Sequence, residues 1–402
     1  MSDTKLSNLI KSAHIHVGHT KIKYDRNDLF LLYFDNDVNV AGVYSKSSIV
    51  SPTIDWCRVI TNNGKARAVI VNSGNANTMT GQHGIDAVPV IAKSFADAIN
   101  CLPSQILVNS TGVIGEPIPY NKIINTIPNA LINESGIEQA AQAIMTTDLK
   151  SKISQQKCKI GNAEINLVAF AKGSGMCAPN MATMLCYIIT DADISADILD
   201  QLLRDSVDKS LNCVSVDSDC STNDSALFFA AGSVKHEQIN DYNSQLLNDF
   251  KIALDDVMID IAKQIAADGE GATKLIEINV TNTKTIDDAK KIARSIADSP
   301  LVKTAIYGND PNWGRIAMAI GKTTLPVNLT KLTIAIGGYE VYENDKNQMD
   351  ATKEQQLINY LSANKNIILD INIGFENPEN KASFYSSDLS PDYIKINTEY
   401  RT

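Results

Sequence analysis

The 402 residues predict a layered α+β fold. Three observations carry this. Apolar and polar residues alternate with period two near the start, in "HIHVG", "LFLLYF" and "NVAGVYS". The second half carries apolar stripes at helical spacing, and nowhere do strands and helices follow each other with regular βαβ spacing.

In chain order, the opening alternation predicts short antiparallel strands. "ARAVIVNSGNAN" follows as a strand ending in Asn72-Ser73-Gly74-Asn75-Ala76-Asn77, then a helix-like "GIDAVPVIAKSFADAI". The grammar repeats at "SQILVNSTGVIG", which delivers Asn109-Ser110-Thr111-Gly112 with Gly115 close behind. Strand ends rich in Gly and small hydroxyl residues are good places for exposed backbone N–H groups. "GIEQAAQAIM" predicts a helix stopping at Thr146-Thr147-Asp148, and "INLVAFAKGSGM" a strand broken at Gly173 and Gly175, glycines that permit unusual backbone angles. "MLCYIIT", closed by the polar "DADIS", is a β-prone run, so Thr183 is expected as the first residue of a buried strand.

"SADILDQLLRDSVDKSL" predicts a helix capped by Ser195, with Leu199, Leu202, Leu203, Val207 and Leu211 on one stripe. A second stripe, Leu246, Phe250, Leu254, Val257, Ile261 and Ile265, ends at Gly269, and "IDDAKKIARSIADS" stops before Pro300. "LIEINV", "LTIAIGG" and "NIILDINIG" are strand candidates. Asp310-Pro311 signals a turn ahead of Trp313 and Arg315, which read equally as a tight turn with an aromatic anchor or as part of a site wall. No fixed-period repeat, low-complexity tract or linker is visible.

Composition predicts an ordinary soluble globular protein, with 44% apolar residues for a large buried core. A net charge of −10 argues against nucleic acid or an anionic membrane as partner, and small molecules fit better. No window approaches eighteen apolar residues and the N-terminus lacks signal-peptide order, so a cytoplasmic location is expected. The seven cysteines (57, 101, 158, 177, 186, 213 and 220) are scattered without a CxxC pair, which predicts neither disulfides nor zinc. His14, His16 and His19 have no acidic or thiol neighbour at ligand spacing, so no metal is expected there.

The junction "CAPNMATML" raises a chemical reading. A threonine hydroxyl needs a base beside it, and cutting the chain between Ala182 and Thr183 would free an α-amine titrating near ~8 to serve as one. Ala182 leaves the scissile carbonyl open. Taken alone, Thr183 reads as the β-branched start of a strand. "NSTGVIG" offers the Thr111 hydroxyl and the Gly112 N–H as oxyanion donors, though alone it is ordinary turn chemistry. Glu270, between glycines after a helix, is expected to expose its carboxylate, either for binding or as a solvated loop.

The set "NSGNAN", "NSTGVIG", "TTD", "KGSGMCAPNMATML", "STNDS", "DGEGATK", "LVKTAIYGNDPNWGRI" and "INTEYRT" closely resembles the ornithine acetyltransferase family, also called glutamate N-acetyltransferases, from about residue 14 to the end. The resemblance implies an αββα sandwich of the aminopeptidase and ornithine acetyltransferase type. It implies self-cleavage into an α chain, 1–182, and a β chain, 183–402, whose Thr183 carries acetyl in a ping-pong reaction from N²-acetyl-L-ornithine to L-glutamate in arginine biosynthesis. By motif position, Thr111 and Gly112 form the oxyanion site, and Thr146 or Thr147, Lys172, Thr183, Glu270, Asn397 and Thr402 contact substrate. Lys172 suits the substrate's α-carboxylate and Glu270 its side-chain amine. A heterotetramer of two α and two β chains is implied, with no cofactor, and acetyl-CoA as donor is left open. The chain departs from the pattern at Asp217-Ser218-Asp219-Cys220 and at Cys177, away from the proposed catalytic positions. Two rivals stay open: an amidohydrolase or aminopeptidase of similar fold, against which Thr183 counts, and a non-catalytic anion-binding protein, whose chain would stay intact.

Overall fold

Period-two burial builds one part of the chain around a broad mixed sheet. The computed structural model describes residues 4–23, 25–178 and 184–398. The chain divides into a first unit of Met1–Gly173, Pro179–Asn212 and Cys220–Ile261 and a second of Ser174–Ala178, Cys213–Asp219 and Ala262–Thr402.

The first unit's eight-stranded sheet runs Ile106–Val113, Lys65–Asn75, Leu29–Tyr44, Ser225–Ala230, Leu185–Thr190, Ala163–Lys172, Lys152–Ile160, with Ala13–Gly18 added against Leu29–Tyr44. Residue parity sorts the side chains into two cores. Phe30, Leu32, Val69, Val71, Phe170 and Tyr187 share one with the helix Ile137–Ile144. Leu29, Leu31, Ala68, Ile70, Ile106 and Val108 share the other with the helices Gly81–Ile99 and Tyr120–Ala130. Leu185–Thr190 and Ser225–Ala230 are buried at every position, which is why neither segment alternates in sequence.

Two expectations are corrected here. "LFLLYF" and "NVAGVYS" belong to one 16-residue strand, Leu29–Tyr44, whose register against Lys65–Asn75 shifts between Tyr33 and Val38. Exposed Asp35, Asn36 and Asp37 mimic a turn in sequence, but the chain carries them through as an irregularity without leaving the sheet. Ser195 does sit at the N-cap of Ala196–Lys209, yet its hydroxyl makes no capping bond.

The second unit holds a seven-stranded sheet ordered Lys346–Asn347, Tyr339–Glu343, Thr333–Ile336, Asn366–Asn372, Leu275–Thr281, Ala382–Ser387, Val214–Ser215. Leu275–Thr281 alternates between buried and half-buried positions, matching its sequence pattern. Local chemistry sets the helix starts. Thr285 accepts from the Asp288 N–H, and Ser299 from the Val302 N–H with Pro300 in the first turn. Trp313 opens the helix Trp313–Gly321 with its ring 5.3 Å from Tyr342, so it anchors a helix start and the turn is confined to the residues before it. Strands and helices thus form two mixed sheets with their own helices, an α+β fold. Among the described residues no helix is long and apolar enough to cross a membrane.

Candidate active site

In the first unit, two parallel strands end together. Ser73 pairs with Thr111 and Gly74 with Gly112, after which the register shifts. Gly74 has φ +100° and Gly112 φ +133°, and a Cβ on Gly112 would lie 2.3 Å from the Gly74 carbonyl carbon. Only glycine fits, because the backbones touch and both lie in the left-handed region. The Thr111 side chain is buried, and its hydroxyl has no hydrogen-bond partner among the described residues. A hydroxyl beside a permissive backbone is what an oxyanion site requires.

A polar network fixes these strand ends. The Asn223 amide donates to the carbonyls of Ala76 (2.6 Å) and Ser110 (2.8 Å), while its oxygen accepts from the Thr78 hydroxyl at 2.8 Å. The Ser110 hydroxyl donates to Asn72 at 2.7 Å, and Tyr187 donates to Asn109 at 3.2 Å. Each member is buried and satisfied, so the network holds the loops rigidly.

The Thr146-Thr147-Asp148 loop follows the helix Ile137–Ile144 as predicted. Asp148 is its anchor: Oδ1 accepts from Lys152 Nζ and from the Gly173 N–H, both at 2.7 Å, and Oδ2 from the Thr146 N–H at 2.9 Å. Burial would push the carboxyl up, but the Lys152 and Lys172 cations and these hydrogen bonds outweigh it and hold it at about 2. Lys172 ends the strand Ala163–Lys172, and its ammonium makes no hydrogen bond or ion pair among the described residues. It is therefore a cation available to a ligand.

In the second unit, Glu270 departs from expectation. Its side chain is buried, and its Oε2 accepts from the Asn397 amide at 2.8 Å, which brings together two of the predicted substrate contacts. The carboxylate is shielded because it lies against Gly175, where a Cβ would come within 2.3 Å of the Glu270 carboxyl carbon. Gly173 and Gly175 do not supply the unusual backbone angle: the positive φ falls on Met176, at +52°. Asp217 straps this approach segment by accepting from the Met176 N–H at 2.6 Å and the Cys177 N–H at 2.8 Å. Burial raises the Asp217 carboxyl despite these bonds.

Ala182, Thr183 and Thr402 lie outside the described residues. Strand Leu185–Thr190 begins two residues after Thr183 and runs parallel to Ser225–Ala230, with the Ser225 N–H donating to the Met184 carbonyl at 2.9 Å. Asp224, just before that partner strand, was not legible as a site residue. Its carboxyl is raised well above the usual range by burial, against the pull of Lys172, and its Oδ2 finds no partner among the described residues. The "STND" string contained both Asn223 and Asp224, but nothing in their spacing separates a buried clamp from a solvated loop. Two of the histidines are structural: His14 and His16 stack on Tyr33, and His16 bonds the Asn133 carbonyl at 2.9 Å. Among the described residues no cluster of three His, Cys, Asp or Glu could hold a metal.

The chain is 40% identical over 399 residues to the arginine biosynthesis bifunctional protein ArgJ of Agrobacterium fabrum, covering 98% of this chain and 96% of that one. It is 41% identical over 403 residues to the protein of that name from Brucella melitensis, with the same coverage. A crystal structure of the Bacillus halodurans ArgJ protein matches with a TM-score of 0.50 and 36% identity, covering 53% of this chain and 97% of the solved one. The model of the ArgJ family matches residues 14–402, and this chain belongs to that family.

Proposed function

We propose that the protein is an acetyltransferase of arginine biosynthesis that moves acetyl from N²-acetyl-L-ornithine to L-glutamate through Thr183. The observation that carries this is the place of Thr111, a buried residue at a strand end, beside the close glycine contact of Gly74 and Gly112. The family match supports the reaction class.

Maturation begins when the Thr183 hydroxyl adds to the Ala182 carbonyl. The peptide becomes an ester, and water opens it to leave an Ala182 carboxylate and a free Thr183 amine. The α chain, 1–182, and the β chain, 183–402, stay together. In catalysis the Thr183 amine takes the hydroxyl proton as oxygen attacks the acetyl carbonyl. Thr111 and Gly112 donate to the developing oxyanion, and the proton passes to the departing ornithine nitrogen as the C–N bond breaks. Glutamate's amine then attacks the acetyl ester and returns the hydroxyl. Lys172 pairs with the α-carboxylate and Glu270, positioned by Asn397, with ornithine's ammonium. Thr146 or Thr147 and Thr402 complete the contacts by neutral hydrogen bonds. No cofactor or metal is needed, and acetyl-CoA is a candidate second donor. The active form is a cytoplasmic heterotetramer of two α and two β chains. The solved Bacillus halodurans chain, nearly all of which pairs with about half of this one, supports a two-chain protein.

Intact-mass analysis tests the reading. Chains of 182 and 402 − 182 = 220 residues are expected, the second gaining an acetyl group from acetylornithine and losing it to glutamate. Thr183→Ala should stay uncut and inactive. An intact, fully active wild-type chain overturns the mechanism, and acetate release without glutamate dependence makes the protein a hydrolase.

A further inference from the structure

Lys23 was assigned no role above, yet it touches both site loops of the first unit. Its stem lies over Gly74, where a Cβ would come within 3.3 Å of Lys23 Cγ, and Gly74 in turn contacts Gly112. Its ammonium donates to the Ser73 hydroxyl at 2.9 Å and to the Met145 carbonyl, next to Thr146-Thr147-Asp148. An ammonium has three protons to donate, so one remains.

The charge around it does not balance. Arg26 donates to the Thr146 carbonyl at 2.6 Å, and its buried Nε has no partner among the described residues. Lys172 also lies close enough to act on Lys23 electrostatically. The two carboxylates that act on Lys23 are committed: Asp148 to Lys152 and two backbone N–H groups, and Asp28 to the N–H groups of Thr20, Ile22 and Lys23. Burial, then repulsion from Arg26 and Lys172, lowers Lys23 to about 7 although Asp148 and Asp28 oppose the shift. Gathering three cations within electrostatic reach of one another is unfavourable unless an anion joins them. Lys23 and Arg26 also cap carbonyls at the end of the helix Ile137–Ile144, but neither Lys172 nor the Arg26 Nε is needed for that.

We infer that Lys23 is a binding residue for the acidic acceptor, its ammonium taking the side-chain carboxylate of glutamate while Lys172 takes the α-carboxylate. This rests on the proposed reaction. It answers a difficulty in it, because donor and acceptor carry side chains of opposite charge and Glu270 suits only the ornithine ammonium.

The test compares glutamate with glutamine as acceptor, with acetylornithine as donor, in the full protein. Lys23→Met should raise the KM for glutamate roughly tenfold or more and bring the glutamate-to-glutamine ratio of kcat/KM close to one, since glutamine offers no charge-assisted bond. Acetylation of the enzyme by acetylornithine alone, followed by mass, should stay within about threefold of wild type, since this contact belongs to the acceptor. Lys23→Arg should keep the preference for glutamate. In wild type that preference should fall as pH rises through about 7, where Lys23 loses its charge, and in Lys23→Arg it should not. An unchanged ratio in Lys23→Met overturns the assignment, and so does a lost preference in a folded Lys23→Arg. Failure of wild type to become acetylated overturns the reaction itself, an outcome separate from both.

Discussion

The loops of the first unit and the Glu270 loop of the second hold their charges in opposite ways. Asp148 is locked in the interior by three donors, two backbone N–H groups and the buried Lys152 ammonium, with side-chain exposures of 0% for Asp148 and 1% for Lys152. Glu270 is held by one amide, and that amide stands on the helix Pro391–Thr398, which has no buried residue. The first arrangement is part of the folding energetics and the second is not. Substitutions in the first unit's network should therefore act on stability, and those around Glu270 on binding.

The sharpest way to break this contrast is Lys152→Met. It leaves Asp148 buried without the cation in contact with it, a change that typically costs about 3–5 kcal/mol, read as the loss of unfolding free energy in urea. A loss under about 1 kcal/mol would show that the pair is not a structural anchor. The pH dependence has a definite sign. The folded carboxyl, held at about 2, titrates below its unfolded value near ~3.9, so its contribution is complete above that value and disappears as pH falls toward 2.

Thr111→Ala should act on chemistry alone. Loss of an oxyanion donor is expected to lower turnover by roughly 10²- to 10³-fold with a smaller change in KM and an unchanged unfolding midpoint. An unchanged kcat in the folded variant removes Thr111 from the mechanism. Slower self-cleavage in the same variant would mean that one oxyanion site serves both reactions.

Glu270→Gln is the smallest of the three. Replacing the carboxylate by a neutral amide should raise the KM for acetylornithine by about ten- to a hundredfold, since charge-assisted bonds carry ~1.5–3 kcal/mol, with no loss of stability. Gly175→Ala should move KM the same way, because its methyl group must displace the Glu270 carboxylate. If either variant unfolds earlier in urea than wild type, the contrast between the two loops fails.

Much of the second unit was legible. "LIEINV" and "NIILDINIG" alternate because one face of each strand is more open, and Thr285, Ser299 and Pro300 mark helix starts by local hydrogen bonding. The two glycine-bearing strand ends could also be read, since Gly74 and Gly112 follow apolar runs. The exposure of Glu270 was misread. Its glycine neighbours point to an open loop, while its actual surroundings, Gly175 and Asn397, come from 95 and 127 residues away along the chain.

The sequence by itself determined the element types and the family, because each depends on short-range pattern or on a string of motifs. Only the tertiary structure decided how those side chains are charged and held. It put Lys152 beneath Asp148, left the Lys172 ammonium without a partner among the described residues, and laid Lys23 across Gly74 beside Gly112. Burial and Coulomb interaction depend on distance in space, and the contact between Lys23 and Ser73 joins residues 50 apart in the chain.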